Sequence, residues 1–186
     1  MRRDHASSAS ARRRGYTLVE VLIVVTVLGI AAAMAVPSLS QTGVFRVQAA
    51  LRTIVSDITE TQSEALAMQQ ARAIIFDADS SSYTIVRVPG TIIDPSVDAL
   101  RSFNVNSSRF GDARMSNVDF GGGNTLVFDE LGAPIEAPGN STPASDGSLR
   151  ISGSGQIFQI LVQGYTGRVV VSRIEQPPSP PIALNE

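Results

Sequence analysis

The feature that most constrains this chain is an almost unbroken apolar run, Tyr16 to Val36, in which Thr17, Glu20 and Thr26 are the polar side chains. Coiled as a helix at about 1.5 Å per residue, such a run reaches roughly 31 Å, enough to cross a hydrocarbon core. Pro37 then interrupts it. Five arginines (Arg2, Arg3, Arg12, Arg13 and Arg14) and one acid, Asp4, precede Gly15, and the remainder holds ten arginines against sixteen acids. A basic head, an apolar run and an acidic body predict a head in the cytoplasm and a body outside it. The acidic body also disfavours generic nucleic-acid binding.

Two readings make the apolar run disposable. In a Sec-type signal peptide, Leu18 to Ile30 is the apolar core and Ala33-Met34-Ala35 the cleavage site. Arg13-Arg14-Gly15-Tyr16 loosely echoes a twin-arginine export signal. Neither gives Glu20 a task, although an ionised acid at a helix centre costs about 2.5–3.5 kcal/mol on insertion scales. A third reading begins from the string Gly15-Tyr16-Thr17-Leu18-Val19-Glu20. It resembles the prepilin cleavage and methylation motif of the type IV pilin and type II secretion pseudopilin family.

The resemblance implies that a prepilin peptidase cuts after Gly15 and methylates the new N-terminus at Tyr16. Glu20 then stands fifth and Pro37 twenty-second, the positions at which the family places a glutamate and commonly a proline. Tyr16 replaces the usual phenylalanine or methionine. A new amine at Tyr16 lies one helical turn from Glu20, and a buried carboxylate needs a positive or hydrogen-bonding partner. In the family that partner is the N-terminal amine of a neighbouring subunit, with Thr17, Leu18 and Pro37 part of the same assembly segment. The plainer alternative is that Glu20 caps its own first-turn amides.

Beyond Pro37 the pattern is helical. Val44, Val47, Leu51, Ile54, Ile58, Thr61, Ala65 and Met68 recur at alternating spacings of three and four, which marks one face of an amphipathic stem. Arg52, Asp57, Glu60, Ser63 and Gln70 fall mostly elsewhere, and the helix is expected to run to about Arg72. The period then shortens. Runs ending at Phe76 and spanning Tyr83–Val88 flank Asp77–Ser82 as a hairpin. Asn124–Phe128 leads into Asp129-Glu130-Leu131-Gly132, whose glycine suits a left-handed turn position. Ser148–Ser152, Gln156–Val162 and Arg168–Ser172 read as later strands. Residues 89–123, rich in Asp, Asn, Ser and Gly, read as a variable insertion with weak strands near Ala99–Val105 and Ser116–Phe120.

One long helix followed by strands predicts an α+β fold in which a membrane-spanning half and an amphipathic stem precede an antiparallel sheet packed on the stem. The order of elements, with Phe128–Gly132 as a turn strand and Thr166-Gly167-Arg168-Val169-Val170-Val171 near the end, is similar to the GspH/FimT group of minor pseudopilins and pilins. The expected organisation is a leader 1–15, a transmembrane and assembly helix 16–36, a stem 37–72, a head 73–174 and a Pro-rich tail 175–186.

Other chemistry finds little footing. The chain has no cysteine and no lysine, and its one histidine, His5, lies in the basic head. A Ser-His-Asp triad, a Cys-His pair and a Walker A site are thereby excluded from the body. Asp77-x-Asp79-x-Ser81 opens like a calcium loop, but Ser82 and Val88 stand where the glycine and the bidentate glutamate belong. No metal or cofactor is expected. FimT-type proteins can bind DNA through basic residues near the C-terminus, which makes Arg150, Arg168 and Arg173 candidate contacts, a thin footprint beside Glu175.

The reading is a non-enzymatic subunit, single-pass in the inner membrane, with its N-terminus cytoplasmic and its head periplasmic. Its partners would be other pseudopilins, the prepilin peptidase, the inner-membrane assembly platform and exported cargo. Mass spectrometry of the mature chain from its native host is expected to find methylated Tyr16 at the N-terminus. A chain beginning at Val36 would instead establish the signal-peptide reading.

Overall fold

In the computed structural model, residues 16–40 and 42–175 are described, with side chains from 16 to 33 and from 43 to 175. The leader and the Pro-rich stretch 176–186 lie outside the described residues. The chain divides into two compact units between Ser40 and Gln41.

The first unit is helix α1, Leu18–Ser40. It passes through Pro37, which the sequence reading took as an interruption. Proline lacks an N–H, so one backbone bond of the helix is necessarily missing there. Among the described residues no helix is long and apolar enough to cross a membrane, the described side chains of α1 ending at Ala33.

The second unit is built on α2, Thr42–Met68. Of the eight stripe residues, Val47, Leu51, Ile54, Ile58, Thr61 and Ala65 are buried, while Met68 is exposed. The helix stops four residues short of Arg72. Gln69 adopts φ 49°, its N–H reaches the Leu66 carbonyl at 3.4 Å, and the Gln70 N–H reaches that of Ala65 at 3.2 Å. That pair of bonds is a Schellman closure, made here with a glutamine in the left-handed position instead of the usual glycine. The chain can then reverse, and Arg72 opens the first strand rather than closing the helix.

The strands are β1 (Arg72–Asp77), β2 (Ser82–Arg87), β3 (Ala99–Asn104), β4 (Arg114–Asp119), β5 (Thr125–Phe128), β6 (Pro134–Ile135), β7 (Gly147–Gly153), β8 (Gln156–Val162) and β9 (Val169–Ile174), with a short helix α3 (Pro95–Asp98) after β2. They form two antiparallel sheets, where the sequence suggested one: a five-stranded sheet in the order β3-β2-β1-β5-β6 and a four-stranded one in the order β4-β7-β8-β9. The stripe of α2 packs on both. Its core partners include Ile74, Phe76, Ile85 and Phe128 from the first sheet, and Met115, Leu149, Ile151, Ile160 and Val162 from the second. Phe120 stacks on Phe76 with ring centroids 5.2 Å apart, which ties the loop after β4 to the five-stranded sheet.

Residues 89–123 hold strands close to the two weak ones expected within them, near Ala99–Val105 and Ser116–Phe120. They give β3 to one sheet and β4 to the other, and Val105, Phe110, Ala113 and Met115 are core residues. The polar composition that suggested a loop belongs to the turns between these strands.

Asp57 is also placed differently. It lies on the buried side of α2, where its carboxylate accepts a hydrogen bond from the buried Tyr83 hydroxyl of β2. Burial raises the pKa of Asp57, while the Tyr83 bond and Arg101 act to lower it and Glu60 to raise it. Burial and the neighbouring carboxylate likewise push the Tyr83 hydroxyl up. Around this pair, Arg101 of β3 bridges Glu60 at 3.1 Å and Glu64 at 3.6 Å. Arg72 lies 4.0 Å from Glu64.

Because the folded-state pKa of Asp57 is raised, its contribution to stability is lost as pH rises through that value. Tyr83→Phe removes an influence that holds the pKa down. It is expected to cost about 1–3 kcal/mol at pH 7 and less at pH 4, where the carboxyl is closer to neutral. Urea unfolding at the two pH values measures the difference. An equal loss at both would show that the carboxylate charge is not what the hydroxyl stabilises.

Candidate processing and assembly site

Gly15 lies outside the described residues, and Tyr16 and Thr17 lead into α1. The Thr17 Oγ1 accepts the Glu20 N–H at 3.2 Å, and the Thr17 carbonyl accepts the Val21 N–H at 3.2 Å. Threonine at the cap with glutamate three residues later is the order of a capping box. The threonine, not the glutamate, thus satisfies the first-turn amide, and the Glu20 carboxylate is left over from that task. It sits in the first turn, where the helix dipole favours negative charge.

The other polar side chain of the apolar run is satisfied internally, since the Thr26 hydroxyl donates to the Leu22 carbonyl at 2.6 Å. Glu20 is the one ionisable residue in α1. It lines a shallow recess with Tyr16, Val21 and Val24, and Tyr16 and Val24 stand one turn to either side of it. Tyr16 and Leu18 are exposed. The arrangement presents an acid on an otherwise apolar helix face, suited chemically to accept a cationic donor. Pro37 is part of α1, and its side chain lies outside the described residues.

The three arginines named as candidate DNA contacts do not share a face. Arg150 stands in a cross-strand row with Gln159 and Ser172, and Arg173 in the adjacent row with Phe158 and Ile151. Neighbouring rows point to opposite sides of a sheet, so the side chains of Arg150 and Arg173 diverge. Arg168 precedes β9, with its N–H on the Thr166 hydroxyl at 3.2 Å. The Asp77 loop closes on itself: the carboxylate accepts the Asp79 N–H at 3.1 Å and the Ser80 hydroxyl at 2.6 Å, which lower its pKa, the Ser80 bond foremost. Among the described residues no group of acids or histidine is arranged to hold a metal ion.

Gln62 was not singled out by sequence reasoning, yet two motifs that were meet on it. Its amide donates to the Gly132 carbonyl at 2.8 Å and to the Thr166 carbonyl at 3.1 Å. Gly132 and Gly167 have φ of 77° and 67°. A Cβ on Gly132 would lie 3.2 Å from the Gln62 carbonyl, and one on Gly167 would lie 2.5 Å from the Gln62 amide nitrogen. The Phe-Asp-Glu-Leu-Gly and Thr-Gly-Arg-Val turns are thus two clamps on one helix residue, each needing glycine for both conformation and space. The only sequence signal was a polar residue next to the apolar stripe, which is common on any amphipathic helix.

Residues 10–36 match the family described as the prokaryotic N-terminal methylation motif. No curated protein matches the chain. Among solved structures, the chain is similar to the type IV minor pilin FimU of Pseudomonas aeruginosa, at 16% identity over 68% of this chain and 87% of that one, with a TM-score of 0.49. A second crystal form of FimU matches at 18% identity over 67% and 91%, TM-score 0.45. The minor pseudopilin EpsH from the type 2 secretion system of Vibrio cholerae matches at 11% identity over 67% and 96%, TM-score 0.47.

A segment matching the prokaryotic N-terminal methylation motif is followed in this chain by an α+β unit in which a long helix packs on antiparallel sheets. The chain thus carries both features on which its resemblance to the type IV pilin and pseudopilin family rests.

Gln62→Ala removes both clamps and is expected to lower stability by about 1–3 kcal/mol. Gly167→Ala, which adds strain and a clash, should cost at least as much. Chemical denaturation of the two variants tests whether the turns depend on this contact. A neutral Gln62→Ala would show that they hold without it.

Proposed function

We propose that this chain is a GspH-like minor pseudopilin, a non-enzymatic subunit at or near the tip of a type II secretion pseudopilus that supports protein export across the outer membrane. In this reading the prepilin peptidase cuts after Gly15 on the cytoplasmic side. The segment 16–36 holds the subunit in the inner membrane until the assembly platform feeds it into the filament, and the head faces periplasmic partners. The observation that carries the reading is the Glu20 carboxylate, released from capping by Thr17 and set on an apolar helix face with Tyr16 and Val24. There it accepts the methylated amine of a neighbouring subunit and fixes axial register. The alternative, a FimT-like minor pilin of a type IV pilus that aids assembly or DNA uptake, has less support, because Arg150 and Arg173 point to opposite sides of their sheet.

Removing one member of a buried ion pair costs about 3–5 kcal/mol. Glu20→Ala is therefore expected to leave cleavage at Gly15 intact and to reduce incorporation into filaments by roughly a hundredfold or more. Quantifying the chain in sheared filaments against the membrane fraction tests this. Wild-type incorporation of the alanine variant would overturn the assembly role of Glu20.

A further inference from the structure

The end of the head at the first turns of α2 is basic, although residues 41–186 as a whole hold ten arginines against fifteen acids. Arg46 of α2 packs on Gly111, with its Cδ 3.2 Å from where a Cβ would stand. The guanidinium of Arg109 sits over the Phe110 ring at 5.3 Å. Arg114 pairs across the strands with Ser152, and Arg173 lies beside Gly155 and Glu175. All four arginines are exposed. The turn at Ser154 draws these segments to one end: the Asp112 carboxylate accepts its N–H at 2.6 Å and its hydroxyl at 2.9 Å, and Gly43 packs against its side chain.

Two acids stand among the four arginines, and one of them is committed. Asp112 is held by Ser154, which lowers its pKa. Among the described residues the ion pairs of the head belong to Arg72 and Arg101, not to these four. Phe45, next to Arg46, is 64% exposed. Exposed aromatic and arginine side chains side by side match the boundary layer of a membrane, where the ring enters the headgroup region and the guanidinium meets phosphate.

We infer that this end of the head, Phe45 with Arg46, Arg109, Arg114 and Arg173, docks on a surface of anionic phospholipid. The inference rests on the membrane-anchored reading above. Chain connectivity favours lipid over nucleic acid as the occupant: α2 begins at Thr42, two positions after the apolar helix α1 ends at Ser40. The patch therefore occupies the part of the head that is covalently tied to the anchor. Arg114 and Arg173 flank this end from opposite sides of the sheet. Arg150 stands two positions further along β7 from Ser152, away from the turn at Ser154, and is no part of it. Such docking would hold the head against the bilayer before assembly and would weaken with salt over the range in which exposed charges are screened.

The chain contains no cysteine, so a single substitution gives a unique label. Ser108→Cys places a fluorophore beside Arg109, and Ser141→Cys places one on the loop that lines a recess with Ala71, past the other end of α2. The full chain is reconstituted in vesicles of phosphatidylcholine alone or mixed with phosphatidylglycerol, each containing a nitroxide-bearing lipid. Quenching at Ser108→Cys, and not at Ser141→Cys, is expected in the anionic vesicles, with reversal by salt. Arg109→Gln or Arg173→Gln should weaken it roughly fivefold each.

Flotation with both vesicle types but equal quenching in the two, or quenching indifferent to salt, overturns the docking and leaves the anchor reading standing. Failure to float with either type overturns the anchor reading and the docking with it. Retardation of duplex DNA that is lost with Arg109→Gln, without anionic quenching, would reassign the patch to nucleic acid and overturn the inference.

Discussion

The head depends on one constraint: α2 has a single apolar stripe, and two sheets must share it. Val47, Leu51, Ile54, Ile58 and Ala65 are all at most 8% exposed, and side chains of both sheets close over them in one continuous core. Fully burying an aliphatic side chain stabilises by about 1.5–3 kcal/mol, so this stripe gives both sheets a shared source of stability. Each sheet covers its part of the stripe, and the contacts at their margins, such as Phe120 on Phe76, join the two into one unit. The Gln62 amide repeats the pattern in polar form, joining the turn after β5 to the turn between β8 and β9 through one helix residue.

What could be read from the sequence follows from how local each signal is. The stripe repeats at helical spacing over twenty-odd residues, so the side of the helix that is buried was legible to within two positions, Val44 and Met68, at its ends. The Gln156–Val162 strand and the hairpin around Asp77–Ser82 carry apolar runs with turn residues beside them, and both lie where the sequence placed them. The helix stop was illegible because a glutamine takes the left-handed position that usually announces itself as glycine. In the stretch 89–123 weak strands were legible near Ala99–Val105 and Ser116–Phe120, but only tertiary pairing reveals that Ala99–Asn104 and Arg114–Asp119 join different sheets. The Asp57 placement was hidden for a related reason. An acid on a stripe looks like an exposed residue until its partner, Tyr83, twenty-six residues later in the chain, is brought to it.

Asp57 and Glu20 make an instructive pair, because both are carboxylates on otherwise apolar helical surfaces and their surroundings differ. Burying an unpaired charge is costly enough that the group must find a partner or lose its charge. Asp57 finds the Tyr83 hydroxyl within its own chain, and Thr61 satisfies its hydroxyl on the Asp57 carbonyl at 2.7 Å. These groups are complete as they stand, so their role is to fix how helix and sheet meet. Thr26 is complete in the same sense, closed on the Leu22 carbonyl. Glu20 is different: its backbone is served by Thr17, while its carboxylate faces an apolar recess formed by its own helix. What its own helix offers that charge is the positive end of the helix dipole. The difference between the two carboxylates is therefore the difference between an acid closed by a partner within its own fold and one left on an exposed helix face.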